Sequence, residues 1–379
     1  MRRVVIALAG VATFGSIVAA QQPAAPTPPF NESPYKVLAR AKVGGEGGTD
    51  YIHFGNDGKI YITRNMVRPA AATATAPARD SVPGRVTIFD GKTLAPLGEI
   101  MNGGGNGAVV DVKSGHGFAS SHPDVTMFDI RTMQVIKTID ANADNPNAQP
   151  KWSADGIYFD ASDNRVYIGS HPTKDLLVLD VNDGKVYGKI PLGGVPEQTI
   201  GDGKGTLYVA LQDSAGGVAV VDQKAMKVTK TFPIGDIGRC NGIALDRKNT
   251  ILFMACAQGR ENGPTPQPVM AILSAKDGKI LAKLPLAGAS DGAVFNPTTM
   301  EAFSSHGNGT VTVIKEKSPT QFEVEQNLET MNGARTLAFD AATGNIFVMS
   351  VERGAPPAGG RGAGPAVPGS FTIVKVGKP

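Results

Sequence analysis

Short apolar runs alternate with polar turns along nearly the whole chain. In residues 59–63 and 165–168 the apolar and polar positions alternate with a period of two, which is typical of β-strands. No long segment shows the spacing of an amphipathic helix, in which apolar residues recur every three to four positions. The pattern therefore predicts a protein built from short strands.

The strand pattern occurs seven times. In each copy two strands joined by a turn lead through a loop to a third strand, and a fourth strand follows. The third strands end at Asp90, Asp129, Asp180, Asp222, Ser274, Lys315 and Lys375. Four short strands in each repeat of about 40–50 residues are typical of a β-propeller blade. The sequence thus predicts an all-β fold, a single seven-bladed β-propeller with four antiparallel strands per blade.

The last repeat lacks its fourth strand, because the chain ends at Pro379. A matching segment lies at the other end of the chain, where residues 35–45 resemble the fourth strand at 185–194. We therefore expect the N-terminal strand to complete the last blade. This pairing would close the ring, protect its sheet edges and make residues 35–379 one domain.

The first twenty residues have the pattern of a secretory signal peptide. Arg2 and Arg3 precede an apolar stretch at 4–18, and small residues precede the expected cleavage site. The stretch is short and interrupted for a membrane span, and a Pro-rich tether follows at 21–34. We expect a periplasmic or extracellular protein without a membrane span.

Composition narrows the range of partners. The 379 residues include 37 Lys and Arg against 34 Asp and Glu, and only 6% are aromatic. A net charge of +3 argues against nucleic-acid binding through a basic face. The sequence indicates a monomer that binds a protein or a small molecule, and it predicts neither a cofactor nor a metal ion.

Several repeats resemble the YVTN-type seven-bladed propellers, a group that includes exported bacterial proteins and propeller parts of some periplasmic oxidoreductases. The resemblance rests on 220–222 with 231–235 and 242–246, and it covers residues 35–379. A literal Tyr-Val-Thr-Asn does not occur, and 60–63 and 207–210 come nearest. The resemblance implies a fold and an exported location, but one fold hosts many functions.

Polar residues are expected to meet on one face of the propeller. The loop before each first strand opens on the same face as the loop between strands two and three. We call the residue just before the apolar run of strand one the rim position. The predicted rim residues are Asp50, Asn106, Asp155, Gln198, Asn241, Asp291 and Arg335. Glu197 and Arg239 lie just before two of them.

The rim has two interpretations. Asp and Asn before Gly stabilise turns, so repetition alone can produce such a ring. Alternatively, the ring binds a cation through its oxygen atoms or an anion through Arg335.

Three of the five histidines, His122, His171 and His306, follow strand two in Ser-His motifs and are predicted to share one repeat position. A single metal ion held by all three is not predicted. The ends of these strands should lie on the order of 10 Å from the axis, whereas a zinc–nitrogen bond measures ~2.0–2.1 Å. The histidines remain candidates for the ligand-binding face.

Cys240 and Cys256 are predicted to face each other across one hairpin, because pairing Asp246 with Thr250 aligns the two thiols. Export favours their oxidation to a disulfide over two free thiols.

The sequence leaves three functions open. The preferred one is a binding or scaffold module that uses the rim face. The alternatives are an enzyme resembling seven-bladed lactonases or lyases, with His as acid or base, and an accessory propeller for a redox partner, which requires an apolar patch. A compact cluster of His171, Glu197 and Arg239 would favour the enzyme, and a scattered ring would favour binding. Long loops at 68–85, 259–268 and 354–369 are either inert insertions, the more common case, or lids or partner contacts.

Overall fold

The computed structural model describes residues 30, 33–69, 71, 78, 80–121, 123–213, 216–256, 267–355 and 364–379. Within these ranges the chain forms seven four-stranded antiparallel sheets and one 3-10 helix, Gly235–Ile237. The predicted signal peptide, most of the tether and His122 lie outside the described residues. The described residues include no helix with the length and apolar character needed to cross a membrane.

Each sheet is one blade; in six of them the strands are paired in chain order, and in the seventh the N-terminal strand lies next to the last strand of the chain. The strands of blades one to three, preceded by the N-terminal strand, are β1 (Lys36–Lys42), β2 (Ile52–Phe54), β3 (Lys59–Arg64), β4 (Arg85–Asp90), β5 (Pro96–Met101), β6 (Ala108–Asp111), β7 (His116–Ser121), β8 (Asp124–Asp129), β9 (Gln134–Ile139), β10 (Ala154–Asp160), β11 (Arg165–Ser170), β12 (Asp175–Asp180) and β13 (Val186–Pro191).

The remaining strands form blades four to seven. They are β14 (Pro196–Gly201), β15 (Thr206–Leu211), β16 (Gly217–Asp222), β17 (Lys227–Phe232), β18 (Cys240–Asp246), β19 (Ile251–Cys256), β20 (Val269–Ser274), β21 (Ile280–Pro285), β22 (Ser290–Asn296), β23 (Glu301–His306), β24 (Thr310–Ser318), β25 (Gln321–Glu329), β26 (Leu337–Asp340), β27 (Asn345–Ser350) and β28 (Thr372–Gly377). The first strands of successive blades contact one another around the ring, from β2 through β26 and back to β2. They therefore surround the axis.

The ring closes as predicted. Strand β1 pairs antiparallel with β28, with Lys36 opposite Gly377 and Lys42 opposite Thr372. A buried carboxylate reinforces the closure, since Glu301 accepts a hydrogen bond from Tyr35 and lies 3.0 Å from the Lys378 ammonium. The two ends of the chain are thus tied to blade six as well as to each other.

The core lies between neighbouring blades. Strand β19 is buried along its whole length, whereas the outer strand β9 is exposed except at its last residue. One cluster joins Tyr208 and Val218 of blade four to Leu252 and Leu273 of blade five. Because burial of apolar surface drives this packing, the inner strands form a rigid support for the residues at the rim.

The predicted disulfide is present. Cys240 on β18 lies opposite Cys256 on β19, and the two sulfur atoms are bonded. The bond fixes the first hairpin of blade five next to the rim.

Candidate functional site

The strand register defines which residues are equivalent at the rim. In blades three, five and six the first hairpin closes with the pairs Asp160–Arg165, Asp246–Ile251 and Asn296–Glu301. The rim residue comes five positions before the first member of each pair. In blade four the corresponding hairpin end is Asp202, whose amide donates to the Thr206 carbonyl.

Glu197 is therefore the rim residue of blade four, and the prediction that Gln198 holds this position is wrong. Gln198 occupies the next position, where four other blades have glycine. The sequence misled because blade four lacks the Asp-Gly or Asn-Gly pair that marks the rim in those blades.

The side chain of Gln198 lies in the channel and forms hydrogen bonds with the backbone of two other blades. Its amide nitrogen donates to the Ala293 carbonyl at 2.9 Å, and its oxygen accepts from the amides of Ile243 and Ala293 at 3.0 Å. Glycine at 242 makes room there, because a Cβ atom at this position would lie 2.7 Å from the backbone of Gly292. Gln198 thus holds blades four, five and six together.

Tyr51 enters the channel from the other side and was missed in the sequence. It also occupies the position after the rim, and its ring lies beside Gly107 and Gly156. Its hydroxyl donates to Glu197 Oε2 at 3.1 Å. Burial raises the pKa of Tyr51 well above its ordinary value, so the phenol keeps the proton that it donates. The available signal was a bulky aromatic residue at a repeat position that is usually glycine.

Three predicted residues meet at the channel mouth and form what we call the histidine cluster: Asp155, His171 and Glu197. His171 Nε2 lies 2.6 Å from Asp155 Oδ2 and 3.5 Å from Glu197 Oε1. Both carboxylates are buried, whereas 38% of the His171 side chain is exposed. The cluster therefore opens to solvent through the imidazole.

Two amide side chains surround this cluster. Asn106, a predicted rim residue, donates to Asp155 Oδ1. Gln212, which was not predicted, donates to Glu197 Oε1 and lies 3.5 Å from His171 Nε2. Gln212 follows β15 as His171 follows β11, so the repeat position itself was the signal that could have found it.

The three groups of the histidine cluster affect one another's protonation. Burial, followed by the Asp155 carboxylate, raises the pKa of Glu197 to about 8. Burial also acts to raise the pKa of Asp155, but the hydrogen bond and charge of His171, together with the hydrogen bond from Asn106, outweigh it and hold that pKa below its ordinary value. Burial disfavours protonation of His171, yet the hydrogen bond to Asp155 and the charges of Asp155 and Glu197 together outweigh this effect and raise the imidazole pKa.

The opposite side of the rim is an ion-pair arc, formed by Asp50, Asn241, Asp291 and Arg335. The guanidinium lies 2.8 Å from Asp50 Oδ1 and 2.9 Å from Asp291 Oδ2. Asn241 donates to Asp291 Oδ1 at 2.6 Å. Burial raises the pKa of Asp50 to about 6 against the opposing effect of Arg335. Here one arginine lies between two carboxylates and pairs with both, which compensates part of their charge.

The other predicted face residues have different surroundings. Arg239 is exposed, and its Nε donates to the Gln212 carbonyl at 2.9 Å, which places it at the edge of the histidine cluster. His306 is fully buried, and its Nδ1 lies 2.8 Å from the Thr310 hydroxyl.

The prediction that His306 shares the repeat position of His171 is wrong. His306 pairs with Ser290, as Ser170 pairs with Ala154, so His306 is equivalent to Ser170. Because side chains alternate along a strand, a shift of one residue turns His306 into the sheet packing.

The rim is therefore neither an even ring nor the predicted cluster. His171 and Glu197 do come together. Arg239 contacts neither of them directly, and it bonds instead to the backbone carbonyl of Gln212, which contacts both. A cleft of about 350 Å³ lies beside Asp50 and Arg335 and is lined in part by Arg353 and Phe371. The rim can thus contact a cationic group at one point and a larger polar molecule next to it.

Comparisons with known proteins identify only the fold. The sequence matches no family model and no curated protein. Among solved structures it is similar to hydrazine synthase from Kuenenia stuttgartiensis, with a TM-score of 0.62 and 13% identity over 79% of this chain and 91% of that chain. It is similar to the Pan2 WD40 domain of Neurospora crassa, with a TM-score of 0.61 and 14% identity over 93% and 98%. A chain of a mitotic checkpoint complex gives 0.62 and 10% over 90% and 96%.

The protein is a seven-bladed β-propeller with four antiparallel strands per blade. Identities this low carry the fold and not the activity of any of these proteins. The fold is consistent with a binding or scaffold module. Membership of the YVTN-type group stays a prediction.

Proposed function

We propose that this chain is an exported binding protein that captures a small ligand at the channel mouth and holds a cationic group of that ligand in the histidine cluster. The observation that carries the proposal is the pair of buried carboxylates of Asp155 and Glu197, which share one partly exposed imidazole. Glu197 keeps its proton near neutral pH, and a cation can displace that proton because the two carboxyl groups have no permanent counter-charge.

Two further features support this function. The cleft beside Asp50 and Arg335, on the arc side of the rim, measures about 350 Å³, a volume within the usual range for small-molecule sites. The disulfide between Cys240 and Cys256 is of the kind that persists in oxidising compartments, which supports export.

Native mass spectrometry tests the proposal. The full chain is expressed with its own N-terminal segment and recovered from the periplasm or the medium under non-denaturing conditions. We expect the wild type to carry a bound mass that the Asp155→Asn, Glu197→Gln double variant loses. Asp144→Asn is the control, because its carboxylate is 71% exposed and contacts Lys189 away from the rim. Identical spectra for the wild type and the double variant, or retention in the cytoplasm, would contradict it.

One observation favours an enzyme as the second candidate. The hydrogen-bond distance of 2.6 Å between Asp155 and His171 resembles the arrangement in which a carboxylate orients a general base. The test is an assay of lactone hydrolysis with a panel of lactones, in which the acid released by hydrolysis is titrated at constant pH. Turnover that is lost in His171→Gln and kept in His116→Gln would support the enzyme, and no turnover would leave binding as the function.

The accessory-propeller alternative has no comparable support. It calls for one apolar patch on one face. The exposed apolar side chains of the described residues include Leu97, Ile136 and Tyr187, which lie on the outer strands of three different blades.

A further inference from the structure

We propose that Asp155, His171 and Glu197 bind one divalent transition-metal ion at the channel mouth. This inference rests on the proposed function, because it names the cation that the histidine cluster holds. The sequence analysis predicted no metal ion: a cation held by the rim oxygen atoms was only an alternative, and the three histidines were placed too far apart to share one ion.

The donor atoms are close enough to surround one ion. One ligand atom from each of the three side chains lies within 4.8 Å of the other two. Metal bonds of ~2.0–2.2 Å at tetrahedral or octahedral angles place neighbouring donors about 3.0–3.5 Å apart. The observed distances of 2.6 and 3.5 Å from His171 Nε2 bracket that range. Small rotations of these side chains, and displacement of the Gln212 amide that donates to Glu197 Oε1, would therefore admit the ion.

Rigid elements supply all three ligands. Asp155 lies on β10 and Glu197 on β14, the innermost strands of blades three and four, and His171 directly follows β11. These strands contact one another around the axis. Ligands on packed strands are held in place before the ion arrives, which reduces the entropy cost of binding.

Outer partners orient each ligand toward the shared space. Asn106 donates to Asp155 Oδ1 and Tyr51 to Glu197 Oε2, so the other oxygen of each carboxylate faces His171. The imidazole also bonds the backbone of Pro196, which offers only a carbonyl oxygen. Carboxylates and imidazoles that bind metals are usually supported by such second contacts.

The charge and the donor types indicate the class of ion. Metal binding displaces protons from its ligands, so the bound set would consist of two carboxylates and a neutral imidazole with a charge of about −2, and these oxygen and nitrogen donors suit Zn²⁺ or Mn²⁺. Arg335 is occupied by Asp50 and Asp291 at 2.8 and 2.9 Å. Because 38% of the His171 side chain is exposed, a bound ion could take a further ligand from solution.

Isothermal titration calorimetry with ZnCl₂ and MnCl₂ tests the site in untagged full-length protein that has been stripped with EDTA. We expect one ion per chain. His171→Ala and Asp155→Asn should remove measurable binding, and Tyr51→Phe should weaken it about 10-fold, as expected for an outer partner. His116→Ala is the matched control, because this histidine bonds the Val181 carbonyl at 3.1 Å and contacts none of the proposed ligands. Urea unfolding verifies that each variant is folded.

Two results would overturn the metal site. One is the absence of Zn²⁺ and Mn²⁺ binding by the stripped wild type, and the other is wild-type affinity in both His171→Ala and Asp155→Asn. If either occurs while the natively bound mass still depends on Asp155 and Glu197, the metal inference fails and the proposed binding function stands. If that mass is also independent of them, both fail.

Discussion

Blades three and six start from nearly the same sequence elements and use them differently. Each has an Asp-Gly pair at the rim, at 155–156 and 291–292, and a Ser-His pair at the end of the second strand, at 170–171 and 305–306. In blade three the histidine lies beyond the strand and meets two carboxylates. In blade six the histidine is buried within the strand, and the rim carboxylate meets an arginine instead.

The difference shows what separates a structural rim from a candidate site. One residue of register decides whether the histidine packs in the sheet or faces the channel mouth. The neighbouring blade then decides the charge balance, because blade four contributes Glu197 next to Asp155 whereas blade seven contributes Arg335 next to Asp291. In the arc the Arg335 guanidinium is a permanent positive charge, so no external cation is needed. The histidine cluster has no such charge and can therefore bind a cation.

The largest expected effect separates the two histidines. His306→Ala should lower the free energy of unfolding by about 2–4 kcal/mol, because it creates a cavity and removes the buried hydrogen bond between His306 and the Thr310 hydroxyl. His171→Ala should change it by less than about 1 kcal/mol in EDTA, because that side chain is partly exposed. Urea unfolding of both variants measures the difference. Equal losses would mean that the two positions do not differ in role.

The burial of His306 should also make the stability of the protein depend on pH in the acidic range. Burial lowers the pKa of His306 to about 3 and that of His53 to about 4. The unfolded chain gains these protons near pH 6.5 and the folded chain does not, so stability is lost as the pH falls below 6.5. Each histidine should contribute a slope of up to about 1.4 kcal/mol per pH unit.

Urea unfolding of the wild type and His306→Gln between pH 7 and pH 4.5 tests this slope. The variant should show the shallower decline, because of the two buried histidines only His53 then contributes, while every other titrating group is the same in both proteins. Parallel curves would show that the buried imidazole of His306 takes up its proton in the folded protein.

The fold could be predicted from the sequence because each blade repeats local signals. Period-two alternation and turn residues specify the strands, and the match between residues 35–45 and 185–194 specified the closure by β1. The disulfide followed from the register of a single hairpin. These features depend on residues that are close in sequence or on a pattern repeated seven times.

The site could be predicted only in part. Asp155, His171 and Glu197 were recognised as residues of one face, but their grouping depends on contacts between blades. Glu197 and Gln198 were assigned the wrong positions, because blade four lacks the glycine that marks the rim elsewhere. Tyr51 reaches its partner Glu197 across 146 residues of sequence, and no local signal in a single chain specifies such a contact.

The arc should depend on its arginine. Arg335→Met leaves Asp50 and Asp291 facing each other without the guanidinium that lies 2.8 and 2.9 Å from them. We expect a loss of about 1–2 kcal/mol, which is moderate because 51% of the arginine side chain is exposed. Adding Asp291→Asn should recover part of the loss in a double-mutant cycle. If the losses of the two single variants simply add up in the double variant, Arg335 and Asp291 do not interact energetically.

The smallest expected effect has the opposite sign and lies in the histidine cluster. Glu197→Gln removes one of two crowded carboxylates, while an amide oxygen can still accept the hydrogen bond from Tyr51. In EDTA the variant should gain about 0.5–1 kcal/mol of unfolding free energy, because binding residues are often kept at a cost in stability. Glu323→Gln on the outer strand of blade six, 2.6 Å from Lys317, is the control and should show no gain.

If Glu197→Gln instead loses as much stability as Arg335→Met, the carboxylate of Glu197 is compensated within the protein. The contrast between cluster and arc would then disappear, since both sides of the rim would be structural ion pairs. If Glu197→Gln instead gains stability and loses the bound ligand, the two sides of the rim do differ. This result would show that the negative charge near Asp155 is kept for a partner outside the chain, because the folded chain alone is more stable without it.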